Sequence, residues 1–145
     1  DLKRALSLWP ELKAYAAELA KSYAALGSLG GEALFDDGRV KLTLFFDEVT
    51  SALAAMARAG FKMDAWFLDG FGPAKNPQMW SLEVFIGVAR LCKPGTTCAT
   101  FTVAGHVRRG LAEADFTVVK SPGFGQKREM LKGTYALGDE NKINC

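Results

Sequence analysis

The sequence predicts an open α/β sheet with helices on both faces, its strands mostly parallel and its last strand antiparallel. Three observations predict it. Apolar segments alternate between the period of a strand and the period of a helix. Strand-like runs end in Asp47, Asp69 and Thr102, where ligands bind in such sheets. The two closing strand-like runs have only the short SPGFGQK connection, which suits an antiparallel pair.

Element by element, Leu2, Ala5, Leu6 and Trp9 follow helical spacing. Pro10 then suits the first turn of a second helix, which carries Leu12, Tyr15, Ala16, Leu19 and Tyr23 and stops at Gly27. Gly27 to Arg39 reads as a loop, and Asp37-Gly38 as a turn into a strand in which Val40, Leu42, Leu44 and Phe46 alternate with polar residues. Thr50 to Gly60 is an alanine-rich helix ended by glycine, and Asp64 to Asp69 a nearly continuous apolar run expected to be a buried parallel strand. Trp66, Phe67 and Leu68 are therefore expected in the core.

Beyond the loop Gly70–Pro77, Ser81 caps a helix bearing Leu82, Phe85, Ile86 and Ala89. Lys93-Pro94-Gly95 turns into the strand Thr96–Thr102, and Val107, Leu111 and Ala114 mark the next helix. Phe116–Lys120 and Arg128–Tyr135 are the closing strands, and the polar last residues, 136–145, are expected to fray.

At 145 residues, with 49% hydrophobic and 23% charged, the chain fits one globular domain, expected over residues 1–135. No apolar run approaches the roughly 18 residues of a membrane span, and the expectation is a soluble cytoplasmic protein without membrane contact. The three cysteines, Cys92, Cys98 and Cys145, lack a C-x-x-C spacing, and His106 is the single histidine; no metal is expected. Net charge is only +2, but residues 75–132 carry nine basic and four acidic groups. That excess hints at an anionic partner.

Gly70-Phe71-Gly72 and Gly123-Phe124-Gly125 each follow a strand, yet neither opens a helix as a dinucleotide-binding loop must. The first is instead a loop stiffened by Pro73 and Pro77, presenting Asp69, Lys75 and Asn76. Phe71 and Trp80 are open between packing that loop and stacking on a base. Arg108 and Arg109 stand at a helix start, where cations are unfavourable unless an anion or an acid such as Glu113 offsets them.

The strings DAWFLDGFGPAKNPQMW, ATFTVAGHVRRGL and GFGQKREM, in this order, closely resemble the methyltransferase domain of the bacterial tRNA 5-methylaminomethyl-2-thiouridine biosynthesis family. The resemblance runs from LWPEL to REMLKG. It implies a doubly wound, Rossmann-like fold that binds S-adenosyl-L-methionine and methylates the aminomethyl group of a wobble uridine in tRNA. It further implies that Asp69 and Phe71 are catalytic, that Asp47, Asp69 and Gly70 meet the cofactor, and that Lys75, Asn76, Arg108, Arg109, Lys127 and Arg128 face the tRNA. Family members carry glycine where this chain has Phe46 and an aromatic residue at the place of His106. The family's glycine-rich cofactor loop falls upstream of Asp1, so a chain lacking its first strands is expected, with an inactive fragment as the alternative. In two-domain members a flavin-dependent oxidoreductase domain with FAD follows.

Overall fold

A computed structural model describes residue 4 and residues 6–136, which fall into two compact units divided between Asp47 and Glu48. Of the expected polar tail, Ala136 is described and donates to the Asp115 carbonyl at 3.0 Å, while residues 137–145 lie outside the described residues, as do Leu2 and Ala5 of the expected first helix.

In the first unit, Pro10 opens a 3-10 turn, Pro10–Leu12, that leads into helix α1, Lys13–Ala24. Strands β1, Gly30–Phe35, and β2, Val40–Phe45, follow and pair antiparallel from Gly30↔Phe45 to Phe35↔Val40. The expected loop over residues 27–39 thus contains a strand at its centre, Gly30–Phe35. Its glycines mislead because they serve close approach rather than a turn: a Cβ on Gly30 would stand 1.9 Å from the Leu44 carbonyl oxygen. The turn falls on Asp36, Asp37 and Gly38, all at positive φ. The Tyr23 and Phe46 rings meet at 5.5 Å.

The second unit contains helix α2, Val49–Arg58, strand β3, Met63–Phe67, and, after a 3-10 turn Pro77–Trp80, helix α3, Leu82–Arg90. Strand β4, Cys92–Thr100, helix α4, Gly105–Glu113, and strands β5, Phe116–Pro122, and β6, Glu129–Tyr135, complete it. The sheet order is β3-β4-β6-β5, with β3 and β4 parallel and β6 antiparallel to both of its neighbours. The short β5–β6 connection allows only the antiparallel pairing, and β6 fills the slot that the β4–α4–β5 crossover leaves open.

The crossovers through α3 and α4 advance across the sheet in one direction. With a common right hand, they place both helices on one face. The core forms there, from Leu53 of α2, Val84, Phe85 and Val88 of α3, Val107 and Leu111 of α4, and Cys98, Phe116 and Leu131 of the sheet. Gly110 lets α4 approach α3, since a Cβ would stand 2.5 Å from the Phe85 ring. The other face, with Ala65, Phe67, Thr97, Val119 and Thr134, is exposed. Phe67 is therefore not core but 85% exposed, because it points away from the helices; Trp66 and Leu68 are half-buried against the core.

Local chemistry explains the element ends. Gly60, at φ 75°, donates to the Ala57 carbonyl while Phe61 donates to that of Met56, closing α2 with paired reversed hydrogen bonds. Ser81 Oγ accepts from Val84 N at 3.4 Å and caps α3. Lys93-Pro94-Gly95 lies inside β4 as an irregularity rather than before it: Met63 pairs with Cys92, and the register then shifts before Ala65 pairs with Thr97. Thr96 stitches this bulge by donating to the Met63 carbonyl at 2.6 Å and accepting from Lys93 N.

Cys92 and Cys98 are free and buried. Burial, with Cys92 close by, pushes the Cys98 thiol up to about 11. Burial also raises Cys92, against the pull of the Trp66 indole and the Thr96 hydroxyl.

Candidate active site

β3 runs parallel to β4, so their carboxyl ends open together. Leu68 N extends the ladder by donating to the Ala99 carbonyl at 2.9 Å, and the chain then breaks away at Asp69. Asp69, Gly70, Trp80, residues 100–104 and Lys127 line a cleft of about 410 Å³ at this end. Asp69 is exposed, and its Oδ1 accepts from Gly70 N at 2.8 Å. One carboxylate oxygen orients its own loop while the other faces solvent-accessible space without a hydrogen bond from the described residues.

The loop after Asp69 is held from beneath. Trp80 is 7% exposed and donates from Nε1 to the Phe71 carbonyl at 2.8 Å, which resolves its role as packing rather than stacking. Asn76 Oδ1 accepts from Met79 N at 3.4 Å, so this side chain caps the 3-10 turn that begins at Pro77. Gly70 is at φ 153°, and a Cβ there would stand 3.2 Å from Met79 Cε. Phe71, 68% exposed, and the exposed Lys75 project from the resulting rigid loop.

The opposite wall is the β4–α4 connection. Thr100 Oγ1 accepts from Thr102 N, and Thr102 Oγ1 accepts from Ala104 N, both at 3.3 Å. These two short turns steer the chain from strand into helix and bring Phe101 and Val103 to the cleft. Arg108 and Arg109 are exposed on the first turns of α4, and neither forms an ion pair with a described residue. Lys93 and Lys120, by contrast, are neutralised by Asp64 and Glu129.

The third wall comes from the β5–β6 hairpin, where Gly123 N donates to the Arg128 carbonyl at 3.1 Å and Lys127 N to the Phe124 carbonyl at 3.2 Å. Lys127 reaches the cleft, and Arg128 is exposed beside it.

Of the residues expected from sequence, the structure brings Asp69, Gly70 and Lys127 into one cleft, with Phe71 and Lys75 on the loop leading from it. Asp47 is exposed in the first unit, just beyond β2. Sequence reasoning left out Thr100, Phe101, Val103 and Ala104 as cleft residues. The threonines separated by one residue before a helix were the available sign, because such side chains bond to the backbone two residues on.

This arrangement, an acid at the end of a parallel strand and a basic rim that forms no ion pair with a described residue, accompanies a family assignment. The chain belongs to the S-adenosyl-L-methionine-dependent methyltransferase family whose model matches residues 10–136. It is 51% identical over 133 residues to the tRNA 5-methylaminomethyl-2-thiouridine biosynthesis bifunctional protein MnmC of Stutzerimonas stutzeri, across 92% of this chain and 20% of that protein. The protein of the same name from Pseudomonas aeruginosa PAO1 is 51% identical over 135 residues, across 93% and 20%. The chain thus spans about a fifth of the length of these relatives. The crystal structure of MnmC2 from Aquifex aeolicus superposes with a TM-score of 0.62 at 23% identity, over 75% of this chain and 36% of that one, which shows the shared Rossmann-like fold.

Proposed function

We infer that this chain belongs to an enzyme that transfers methyl from S-adenosyl-L-methionine to the aminomethyl group of a modified wobble uridine in tRNA, turning 5-aminomethyl-2-thiouridine into 5-methylaminomethyl-2-thiouridine. The observation that carries this reading is identity of about one half, over more than nine-tenths of the chain, to proteins named for making that nucleoside.

The residues of the cleft fit the reacting end of such a donor. Its volume lies within the roughly 300–1,000 Å³ of small-ligand sites, and its wall offers one carboxylate and closely spaced backbone polar groups. When bound, S-adenosyl-L-methionine supplies an electrophilic methyl group on a sulfonium.

The chain's own part is to present the amine. An alkylamine with a pKa of about 10 is mostly protonated at neutral pH, and holding it neutral costs roughly 4 kcal/mol. The unoccupied oxygen of Asp69 accepts an N–H from that amine, aims its lone pair, and stabilises the positive charge that grows on nitrogen. Gly70 N–H keeps the carboxylate in one orientation. Phe71 lies beside it as an apolar wall for the base, and Lys75, Arg108, Arg109, Lys127 and Arg128 meet phosphates.

Asp69→Asn keeps the shape and removes the charge. In the protein as its gene encodes it, single-turnover methyl transfer is expected to slow by about 10²–10³, the usual effect of losing one electrostatic contact to a transition state. An undiminished rate would remove Asp69 from the mechanism.

A further inference from the structure

Gly123-Phe124-Gly125 fails as a nucleotide-binding fingerprint, yet the structure gives its phenylalanine an unusual setting. Phe124 is 82% exposed, among the most exposed large apolar side chains of the described residues. It stands on a built turn rather than a loose loop. Its carbonyl accepts from Lys127 N, Gly125 takes φ 61° inside that turn, and Gly123 closes the base by donating to Arg128. A Cβ on Gly123 would lie 2.2 Å from the Lys127 carbonyl oxygen, so the two sides of the turn are in direct backbone contact.

The chain therefore spends two glycines on fixing the place of a side chain that contributes nothing to the core. The same turn sends Lys127 into the Asp69 cleft and leaves Arg128 exposed. A three-residue hydrogen-bonded step separates Phe124 from Lys127, which puts their Cα atoms within about 7 Å. An exposed aromatic face on a fixed support, with two cations on the same turn, is the equipment of a stacking platform for an unpaired base: the ring takes the base and the cations take the flanking phosphates.

We propose that Phe124 stacks on a nucleotide next to the target uridine and holds the RNA strand in register while the target base enters the Asp69 cleft. This rests on the tRNA substrate reading above and adds to it a positioning residue outside the cleft. Phe71 walls the reacting base; Phe124 fixes its neighbour. Stacking needs a π face and not merely an apolar side chain, which separates this role from hydrophobic burial.

The test uses the protein as its gene encodes it and an anticodon stem-loop RNA with 2-aminopurine at the positions flanking the wobble uridine. Wild type is expected to bind and to quench the 2-aminopurine on one side. Phe124→Leu is expected to weaken binding by about tenfold and to lose the quench, whereas Phe124→Trp retains both. At 82% exposure these changes should leave the thermal midpoint where it was, which thermal unfolding checks. If wild type does not bind the RNA, the substrate reading falls and this role with it. Wild type that binds while Phe124→Leu binds equally and still quenches overturns the stacking role alone.

Discussion

Replacing Gly123 by alanine is expected to open the β5–β6 hairpin and draw Lys127 away from the cleft. The added Cβ would sit 2.2 Å from the Lys127 carbonyl oxygen and 2.7 Å from its carbon. A carbon and an oxygen without a bond settle near 3.3 Å, so the two strands must part by about 1 Å. No flexible side-chain tip is available to yield, because the obstruction is backbone. The separation stretches the Gly123–Arg128 and Lys127–Phe124 hydrogen bonds, 3.1 and 3.2 Å long. At about 1 kcal/mol net for each, the cost is on the order of 2 kcal/mol. For a unit of this size that corresponds to a fall in thermal midpoint of roughly 10 °C. Thermal unfolding measures it, and hydrogen exchange at the Lys127 amide locates it. Gly125→Asn is the matched control: Gly125 has φ 61° and no atom within 4 Å of a would-be Cβ, and asparagine tolerates that conformation, so a cost well under about 1 kcal/mol is expected. A Gly123→Ala variant with wild-type midpoint and wild-type protection at Lys127 would refute the close-approach argument.

Three further outcomes are expected. If Lys75, Arg108, Arg109, Lys127 and Arg128 meet phosphates of a single strand, the logarithm of the tRNA affinity falls against the logarithm of salt with a slope of about −3 to −4, and a flat line excludes the basic rim. Cys98 has its folded pKa raised to about 11 against an ordinary 9.0, so above pH 9 the unfolded state loses its proton first and stability falls until about pH 11. The unfolding free energy from urea titrations should drop across that window, by on the order of 2–3 kcal/mol for Cys98 alone, and less steeply in Cys98→Ala. Gly110→Ala pushes a methyl group to 2.5 Å from the Phe85 ring, and overpacking of about 1–3 kcal/mol outweighs the roughly 1 kcal/mol gained in helix propensity. Adding Phe85→Leu should recover part of the loss, and strictly additive denaturation energies would contradict the contact.

Much of the second unit was legible because its signals are local. Ser81, Gly60 and the 3.6-residue spacing of Val107, Leu111 and Ala114 act within one turn of chain, and all three helices stand where these residues put them. The misreadings share a cause. Gly30 and Gly31 resemble loop residues in sequence, but they lie in β1 because a partner strand comes too close for a side chain. Phe67 looks like core because a strand with two covered faces reads as continuously apolar; its burial depends on which face the helices take, and a crossover's hand decides that. Asn76, expected to face the tRNA, also caps the 3-10 turn through its Oδ1, a role that only the fold displays.

The order of residues alone determined that an acid follows an apolar strand, that prolines stiffen the loop after it, and that cations gather in the later part of the chain, because each is a property of neighbours along the chain. Only the tertiary structure decided that Asp69, the Thr100–Ala104 turn and Lys127 share one cleft. They are brought together by a parallel strand pair and by an antiparallel hairpin that folds back beside it. Contacts between residues 69 and 127 depend on sheet order, and sheet order is set by how the strands share one core.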